Sequence, residues 1–432
     1  MSKAGVIITG LASSTGKTLT TLGLLRALKN QSVAVSAAKT GPDYIDPGFH
    51  EAASGRISVN LDGFAMTPEM LNHLAMAQPG DLLVIEGVMG LYDGGEGSAM
   101  RLAQHLQLPL IMVMDCRGQA ETAGAVAAAL RQRLAAEGVE LAGVILNRLA
   151  SARHGDLIAQ HCADLGVAVM GRLLNRGDIH MPSRHLGLVQ SFDLAEQGAL
   201  DQLLDIAGEM MVDGLDLPAI TAAAKPMTPP SHQAEALPPP GQKIAVAYDA
   251  AFGFAYAHFL QGWQRQGAEV QIFSPLADEK PHQEADFIFL PGGYPELHLD
   301  ALTAATNFQK AMLSAAQRNI PIYGECGGYM VLGQRIIDAK GQPAPMLGLL
   351  DLETSFANPK RVLGYRHLTQ INAALPFWPQ CLKGHEFHFT AATASKGQPL
   401  FSASDKDGQE LGDMGLAQGR VAGSYAHIIA AS

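Results

Sequence analysis

The feature that most constrains the fold is an alternation of short, unbroken apolar runs with helical stretches. Runs at residues 5–9, 33–39, 82–85, 110–114, 142–146 and 187–190 are separated by amphipathic or alanine-rich segments such as 18–29 and 121–134. A strand that is apolar along its length, not at every second position, must be buried on both faces. A mostly parallel sheet covered by helices on each side provides that burial. Residues 201–211 read as one more helix. Then the character changes: residues 216–242 are rich in Ala and Pro, with Pro229-Pro230 and Pro238-Pro239-Pro240, and have little apolar periodicity. That composition predicts a linker, stiff where the prolines cluster. A second alternation starts at Lys243 and continues through 287–290 and 320–323. A chain of 432 residues is also too long for one ordinary core. The expected organisation is an α/β parallel-sheet domain at 1–214, a linker at 215–241 and a second α/β domain at 242–432.

Within the first domain, the segment from Gly10 through Ser13 and Gly16 to Lys17 and Thr18 follows a strand and opens a helix. This is the context a phosphate-binding loop requires, because backbone N–H groups and the positive end of the helix dipole converge on phosphate oxygens. Lys17 would neutralise the β- and γ-phosphates, and the Thr18 hydroxyl would reach Mg²⁺. Five residues separate Gly10 from Gly16, one more than the common pattern. Mg²⁺-nucleotide chemistry also needs carboxylates at neighbouring strand ends. Two turn-rich loops supply them: one with Asp43 and Asp46, the other with Glu86 and Asp93.

In the second domain, the stretch from Pro321 through Gly324-Glu325-Cys326-Gly327-Gly328 reads as strand, tight turn and helix, with Cys326 at the corner. Flanking glycines permit a strained elbow that presents the sulfur, and the following helix N-terminus is expected to favour its thiolate. Gly292 and Gly293, in an upstream loop, are placed to offer backbone N–H groups as an oxyanion hole. A thiol of this kind needs a base, and His427, His385 and His388 are all candidates; spacing does not choose between them.

Charge and cysteine use exclude other classes. A formal net charge of -11 argues against general binding to nucleic acid or anionic membranes, which needs a basic surface. Four scattered cysteines show neither metal-type pairing nor a dense disulfide framework, so a reducing cytoplasm is expected. No stretch is long and apolar enough to predict a membrane span.

Longer signatures surround these sites: Gly-Pro-Asp-Tyr-Ile-Asp-Pro from Gly41, Glu-Gly-Val-Met-Gly-Leu-Tyr-Asp-Gly from Glu86, Arg184-His185-Leu186-Gly187-Leu188, Asp249-Ala250-Ala251-Phe252, the run from Pro291 to His298, and Leu363-Gly364-Tyr365-Arg366. On these residues the chain resembles, over essentially its full length, the cobyrinic or hydrogenobyrinic acid a,c-diamide synthases of vitamin B12 biosynthesis. Its first half is similar to the dethiobiotin synthetase-type P-loop fold, whose loop carries the same five-residue spacing. Its second half is similar to class I glutamine amidotransferases. The resemblance implies ATP- and L-glutamine-dependent amidation of the a- and c-acetate carboxylates of a corrinoid acid, with Mg²⁺ as cofactor. It also implies Cys326 as glutaminase nucleophile and His427, in Ser424-Tyr425-Ala426-His427, as its base. Asp43, Asp46, Glu86 and Asp93 map to positions for Mg²⁺-ATP and carboxylate activation, with Thr18, Asp43 and Glu86 on the metal, and Asn147 maps to an adenine contact. Arg184, His185 and Arg366 are candidates to meet the polyanionic substrate. A homodimer is the expected assembly, with no nucleic-acid or membrane partner.

The chain departs from this pattern in two places. Ile429 and Ala430 stand where the family usually has a second His and an aromatic residue. Most class I glutaminases use His-x-Glu, and no Glu follows His427, so a slow or gated glutaminase is expected. Tyr248 also stands where many relatives carry a basic residue. A rival reading is the same amidation on another tetrapyrrole, such as nickel-sirohydrochlorin. A partitioning-type P-loop ATPase would lack both the Cys326 elbow and the second domain.

Overall fold

A computed structural model describes residues 3–176, 190–191, 198–230, 234 and 237–432. The chain forms two compact units, Met1–Ala234 and Glu235–Ser432.

The first unit is built on β1 (Ala4–Gly10), β2 (Val35–Thr40), β3 (Val59–Leu61), β4 (Leu82–Glu86), β5 (Leu110–Asp115), β6 (Leu141–Leu149) and β7 (Val169–Leu174). They lie in the order β3-β2-β4-β1-β5-β6-β7, every neighbouring pair parallel. Five of the apolar runs read from the sequence become β1, β2, β4, β5 and β6. The two edge strands do not announce themselves: β3 has only three residues, and β7 alternates, with Arg172 and Leu174 exposed. An edge strand half open to water needs no continuous apolar run. The run at 187–190 falls, but for Gln190, outside the described residues.

β1 sits where the chain passes from one side of the sheet to the other, with β2 to β4 on one flank and β5 to β7 on the other. The carboxyl ends of strands around such a point form the crevice where open α/β sheets take ligands. The first helix, Lys17–Asn30, packs on a later helix, Ala199–Gly214. Their approach is close: a Cβ on Gly23 would lie 2.5 Å from the Ala207 carbonyl oxygen. Arg26 then reaches across to Asp201 at 3.0 Å and Asp205 at 2.7 Å.

The stretch that composition marks as linker is partly built into this unit. Leu217–Ala223 is a helix whose start is capped by Asp216 accepting from the Ala219 N–H at 2.9 Å, and Leu217 and Ile220 are buried. β8 (Lys225–Pro226) pairs antiparallel with Ala4 and Gly5 of β1. An Asp N-cap followed by Pro in the first turn is a helix-start signal, and the surrounding Ala/Pro content obscures it.

The second unit begins with β9 (Lys243–Ala247), β10 (Glu269–Phe273), β11 (Phe287–Leu290) and β12 (Ile322–Glu325). It continues through β13 (Arg335–Ile337), β14 (Pro343–Pro345), β15 (Leu352–Ser355), β16 (Val362–Gln370), β17 (Cys381–His388) and β18 (Ala391–Ser395). The last strands are β19 (Phe401–Asp405), β20 (Glu410–Met414), β21 (Leu416–Gln418), β22 (Val421–Ser424) and β23 (Ala426–Ala431). The main sheet has the order β10-β9-β11-β12-β22-β21, parallel except for its final pair. An antiparallel sheet, β20-β19-β16-β17-β23, and a smaller one, β14-β13-β15-β18, complete the unit. Because β22 returns to the main sheet and β23 joins the antiparallel one, the short segment between Val421 and Ala431 lies against both. Among the described residues, no helix is long and apolar enough to cross a membrane.

Candidate functional site

In the first unit, the loop after β1 turns through Ser14 at φ 61° and Gly16 at φ 95° before the first helix begins at Lys17. The left-handed region is nearly free of cost only for glycine, which suits Gly16 at the helix entrance. Ser13 and its neighbours are exposed at the crest of the loop, and a Cβ on Gly10 would sit 2.4 Å from Thr15 Oγ1, so the loop folds back over its own start. Lys17 is buried and donates to the Ala12 carbonyl at 2.8 Å. Burial lowers the ammonium's pKa from its ordinary value, against the pull of Glu86. Asn147 donates its amide to the Thr15 carbonyl at 2.8 Å, and Arg148 reaches the Ser14 carbonyl and Asp115, each at 2.6 Å. The residue assigned by resemblance to adenine thus also anchors the loop to the end of β6.

The acidic residues are brought together unequally. Glu86, at the end of β4, is fully buried and heavily bonded. Its Oε1 accepts from Thr18 Oγ1 at 2.6 Å and faces Lys39 Nζ at 3.1 Å, while Oε2 faces His50 Nε2 at 2.7 Å. Burial opposes the charge, but Lys39, His50 and Thr18 hold this carboxyl well below the usual range. Lys39 is also buried and pairs with Asp46; burial opposes its charge too, yet Asp46, Glu86 and Asp43 together hold its pKa up. Burial and the Asp43 carboxylate push Asp46 upward, to about 7, against Lys39. Asp43 accepts from the backbone N–H of Ile45 at 2.9 Å and Asp46 at 3.3 Å. Asp93 lies apart from this cluster: it is exposed and caps its own turn, accepting from the Gly90 N–H at 2.9 Å, although its charge is felt at Lys17.

Thr18, Asp43 and Glu86 themselves offer only hard oxygens, the ligand type Mg²⁺ takes, although Lys39 and His50 already contact the two Glu86 oxygens. Among the described residues no group of His, Cys, Asp and Glu would hold a metal ion alone.

In the second unit, Cys326 stands between β12 and the short helix Gly327–Leu332 with φ 46° and ψ -105°. A non-glycine residue held there is strained, as a nucleophile elbow requires. The turn is tight enough that a Cβ on Gly328 would lie 1.9 Å from the Leu290 carbonyl oxygen. Gly328→Ala is therefore expected to lower stability by about 1–3 kcal/mol or more, read as a drop in the thermal midpoint, because backbone and not a flexible side chain must yield. The loop bearing Gly292 and Gly293 presses on the elbow: a Cβ on Gly327 would lie 3.0 Å from Gly293 N. The same loop touches the base candidate, since a Cβ on Gly292 would lie 2.2 Å from His427 Cε1.

The expected preference for thiolate is not found. Burial first, then the charges of Glu296, Glu386 and Glu325, push the Cys326 thiol well above its ordinary value, and the Gly327 N–H pulls back too weakly. A helix start contributes its dipole only within its first turn, and a buried sulfur facing carboxylates overrides it. Cys326 Sγ donates to the Phe387 carbonyl at 3.8 Å.

The three histidines occupy different places. His427 on β23 pairs in register with His385 on β17 and is fully buried, which pushes it down to about 3 with help from His385 and His388. His388 faces Glu386 at 2.9 Å and the Thr390 carbonyl at 3.1 Å, and its ring stacks on Tyr425 at 4.0 Å. Of the residues suggested for the acidic substrate, Arg366 is buried in this unit and donates to Glu386 at 2.7 Å. That carboxylate already compensates its charge, so Arg366 is a poor candidate for a substrate anion. Arg184 and His185 lie outside the described residues. Sequence reasoning missed Lys39, His50, Glu325 and Glu386: Lys39 on β2 and His50 on the helix Asp46–Ser54 converge on Glu86, Glu386 meets Arg366 across the β16–β17 pair, and Glu325 reaches β23 from the end of β12.

Residues 6–189 match the CobQ/CobB/MinD/ParA nucleotide binding domain, and residues 243–432 match the CobB/CobQ-like glutamine amidotransferase domain. By class, then, the chain is a glutamine-dependent, amide-forming ligase with a nucleotide-binding domain. It is 45% identical to the hydrogenobyrinate a,c-diamide synthase of Rhizobium meliloti, over 98% of this chain and 99% of that one. The hydrogenobyrinate a,c-diamide synthases of Brucella abortus and Rhodobacter capsulatus are 46% and 44% identical, covering 98% and 99% of this chain and 98% of each relative. The chain belongs to the hydrogenobyrinate a,c-diamide synthase family.

Proposed function

We propose that the protein amidates the a- and c-acetate carboxylates of hydrogenobyrinate, using ATP to activate each carboxylate and glutamine as the nitrogen source. The observation that carries this reading is one chain with a phosphate loop in one unit and a strained cysteine elbow in the other, along the full length of relatives bearing that name. A carboxylate resists amidation because it is anionic and would have to expel oxide. Attack of a carboxylate oxygen on the ATP γ-phosphorus, with ADP leaving, gives an acyl phosphate; ammonia then displaces phosphate at the acyl carbon. Lys17 and the loop amides from Gly10 to Gly16 offset the phosphate charge, and Thr18, Glu86 and Asp43 would hold Mg²⁺, which supplies further charge neutralisation. Lys39 and His50 fix Glu86 as an anion beside Thr18.

In the second unit, Cys326 attacks the side-chain amide of glutamine, passing its proton by way of His427 to the departing ammonia. Water then hydrolyses the thioester to glutamate. Backbone N–H groups of the Gly292 and Gly293 loop would meet the oxyanion. The free thiols, of which Cys116, Cys162 and Cys326 are buried, suit a reducing compartment.

Mass spectrometry of hydrogenobyrinic acid incubated with the protein, ATP, Mg²⁺ and glutamine tests the reading. A product with two amides in place of two carboxyls is expected. If cobyrinic acid or nickel-sirohydrochlorin is amidated and hydrogenobyrinic acid is untouched, the substrate assignment falls and the ligase class stands.

A further inference from the structure

We propose that Glu325, the residue immediately before the nucleophile, is the carboxylate that positions His427 and balances its charge. This rests on the reading of Cys326 and His427 as nucleophile and base. The position two residues after His427, where class I glutaminases carry Glu, is Ile429. Its side chain is buried and its carbonyl accepts from His258 Nε2 at 2.9 Å, so it offers the base no charge.

Glu325 approaches from another direction. β12 and β22 pair in parallel with Glu325 opposite Ser424, which brings the end of β12 against the start of β23. The carboxylate of Glu325 then brackets the base. Its Oε1 accepts from the Ile428 N–H at 2.9 Å, fixing the backbone directly after His427, and its Oε2 lies 3.9 Å from His427 Nδ1. That second distance is too long for a hydrogen bond but within ion-pair range, and a small approach would close it. The one carboxylate thus touches both the main chain that carries the base and the ring itself.

The energetics call for such a group. Proton transfer breaks the Cys326 Sγ–H bond and forms an N–H bond on His427, leaving an imidazolium with no exposure to water. An uncompensated buried cation is costly. Burial and the neighbouring His385 and His388 push His427 down to about 3, and burial pushes Glu325 up to about 8. Neither group ionises readily by itself: the Ile428 N–H and the Tyr323 side chain draw Glu325 only part of the way back, and a charge formed on His427 would meet the Glu325 carboxyl 3.9 Å away. A carboxylate on Nδ1 would also hold the proton there and leave Nε2 as the atom that takes the thiol proton, the role of the acid in a catalytic triad.

The experiment measures kcat and KM for glutamine hydrolysis in Glu325→Gln, Glu325→Ala and Cys326→Ala proteins, with the thermal midpoint of each recorded. Glu325→Gln preserves an oxygen for the Ile428 N–H but removes the charge. It should lower kcat about 100-fold with KM changed little, at a midpoint near that of the wild type. Wild-type kcat in Glu325→Gln, with only Glu325→Ala impaired, would overturn the proposal and leave Glu325 as a backbone staple. If Cys326→Ala still hydrolyses glutamine, the glutaminase reading itself fails instead. Should Glu325→Gln not fold, nitrogen-15 NMR of histidine-labelled wild type decides, with His427 assigned by its loss in His427→Gln. A proton resident on Nδ1 supports the proposal, and a proton on Nε2 overturns it.

Discussion

Cys326→Ala is expected to lose glutamine-driven amidation by a factor of about 1000 or more, while amidation driven by ammonium survives. The factor is large because no neighbour replaces the sulfur: Cys116, Cys162 and Cys381 are separate free thiols, and water cannot form the thioester. The survival follows from the division of the chain into two compact units, with the phosphate loop wholly in the first. Free ammonia supplies what the second unit would make, so the rate with ammonium should climb with pH as the neutral fraction grows. Alanine at this position removes one buried sulfur and leaves the elbow glycines in place, so the thermal midpoint should change little. Product mass spectra with glutamine and with ammonium, run side by side, check the result. Equal loss with both nitrogen sources would mean that the elbow supports the synthase chemistry too, and the division of labour would be wrong.

What the sequence discloses about these sites depends on how far apart their parts lie in the chain. The phosphate loop is legible because Gly10, Gly16, Lys17 and Thr18 adjoin one another, and because a buried parallel strand before them leaves an unmistakable apolar run. The cysteine elbow is legible for the same reason. By contrast, Lys39 meets Glu86 because β2 and β4 pair with these two residues in register, and β4 is not adjacent to β2 in the chain. His50 reaches the same carboxylate from a separate helix, Asp46–Ser54. Glu325 meets the base because β22 returns to pair with β12 after a long excursion through the antiparallel sheets. Those sheets were themselves missed: β16 and β17 mix glycine, charge and histidine, and their alternation of exposed and buried positions is weak. The expectation about the thiol failed for a related reason. A helix start is visible in sequence, but the carboxylates of Glu296 and Glu386 that face Cys326 come from other segments.

Lys39→Met is expected to injure both stability and the synthase reaction, and it leaves the glutaminase as an internal control. Methionine matches the length of the lysine stem but carries no charge. The change therefore leaves the buried Glu86 and the half-buried Asp46, with Asp43 nearby, as carboxylates whose principal cation has gone. Breaking a buried pair by removing one partner costs about 3–5 kcal/mol, with His50 offsetting part of this at Glu86. In the wild type Glu86 is held below its unfolded pKa, so its contribution is present above the carboxylate range and is lost as pH falls through its folded value. Without Lys39, burial dominates and both carboxyls shift upward, so the variant loses stability as pH rises through their folded values. The deficit relative to wild type should therefore be widest near pH 8 and narrow toward pH 5. Thermal midpoints at the two pH values measure it, alongside amidation with ammonium, which bypasses the glutaminase. Glutamine hydrolysis at Cys326 should persist while ammonium-driven amidation falls, because Lys39 acts on Glu86 and Thr18 in the first unit. A midpoint that does not move, or a deficit that widens on acidification, would show that Lys39 is not the counter-charge of this cluster.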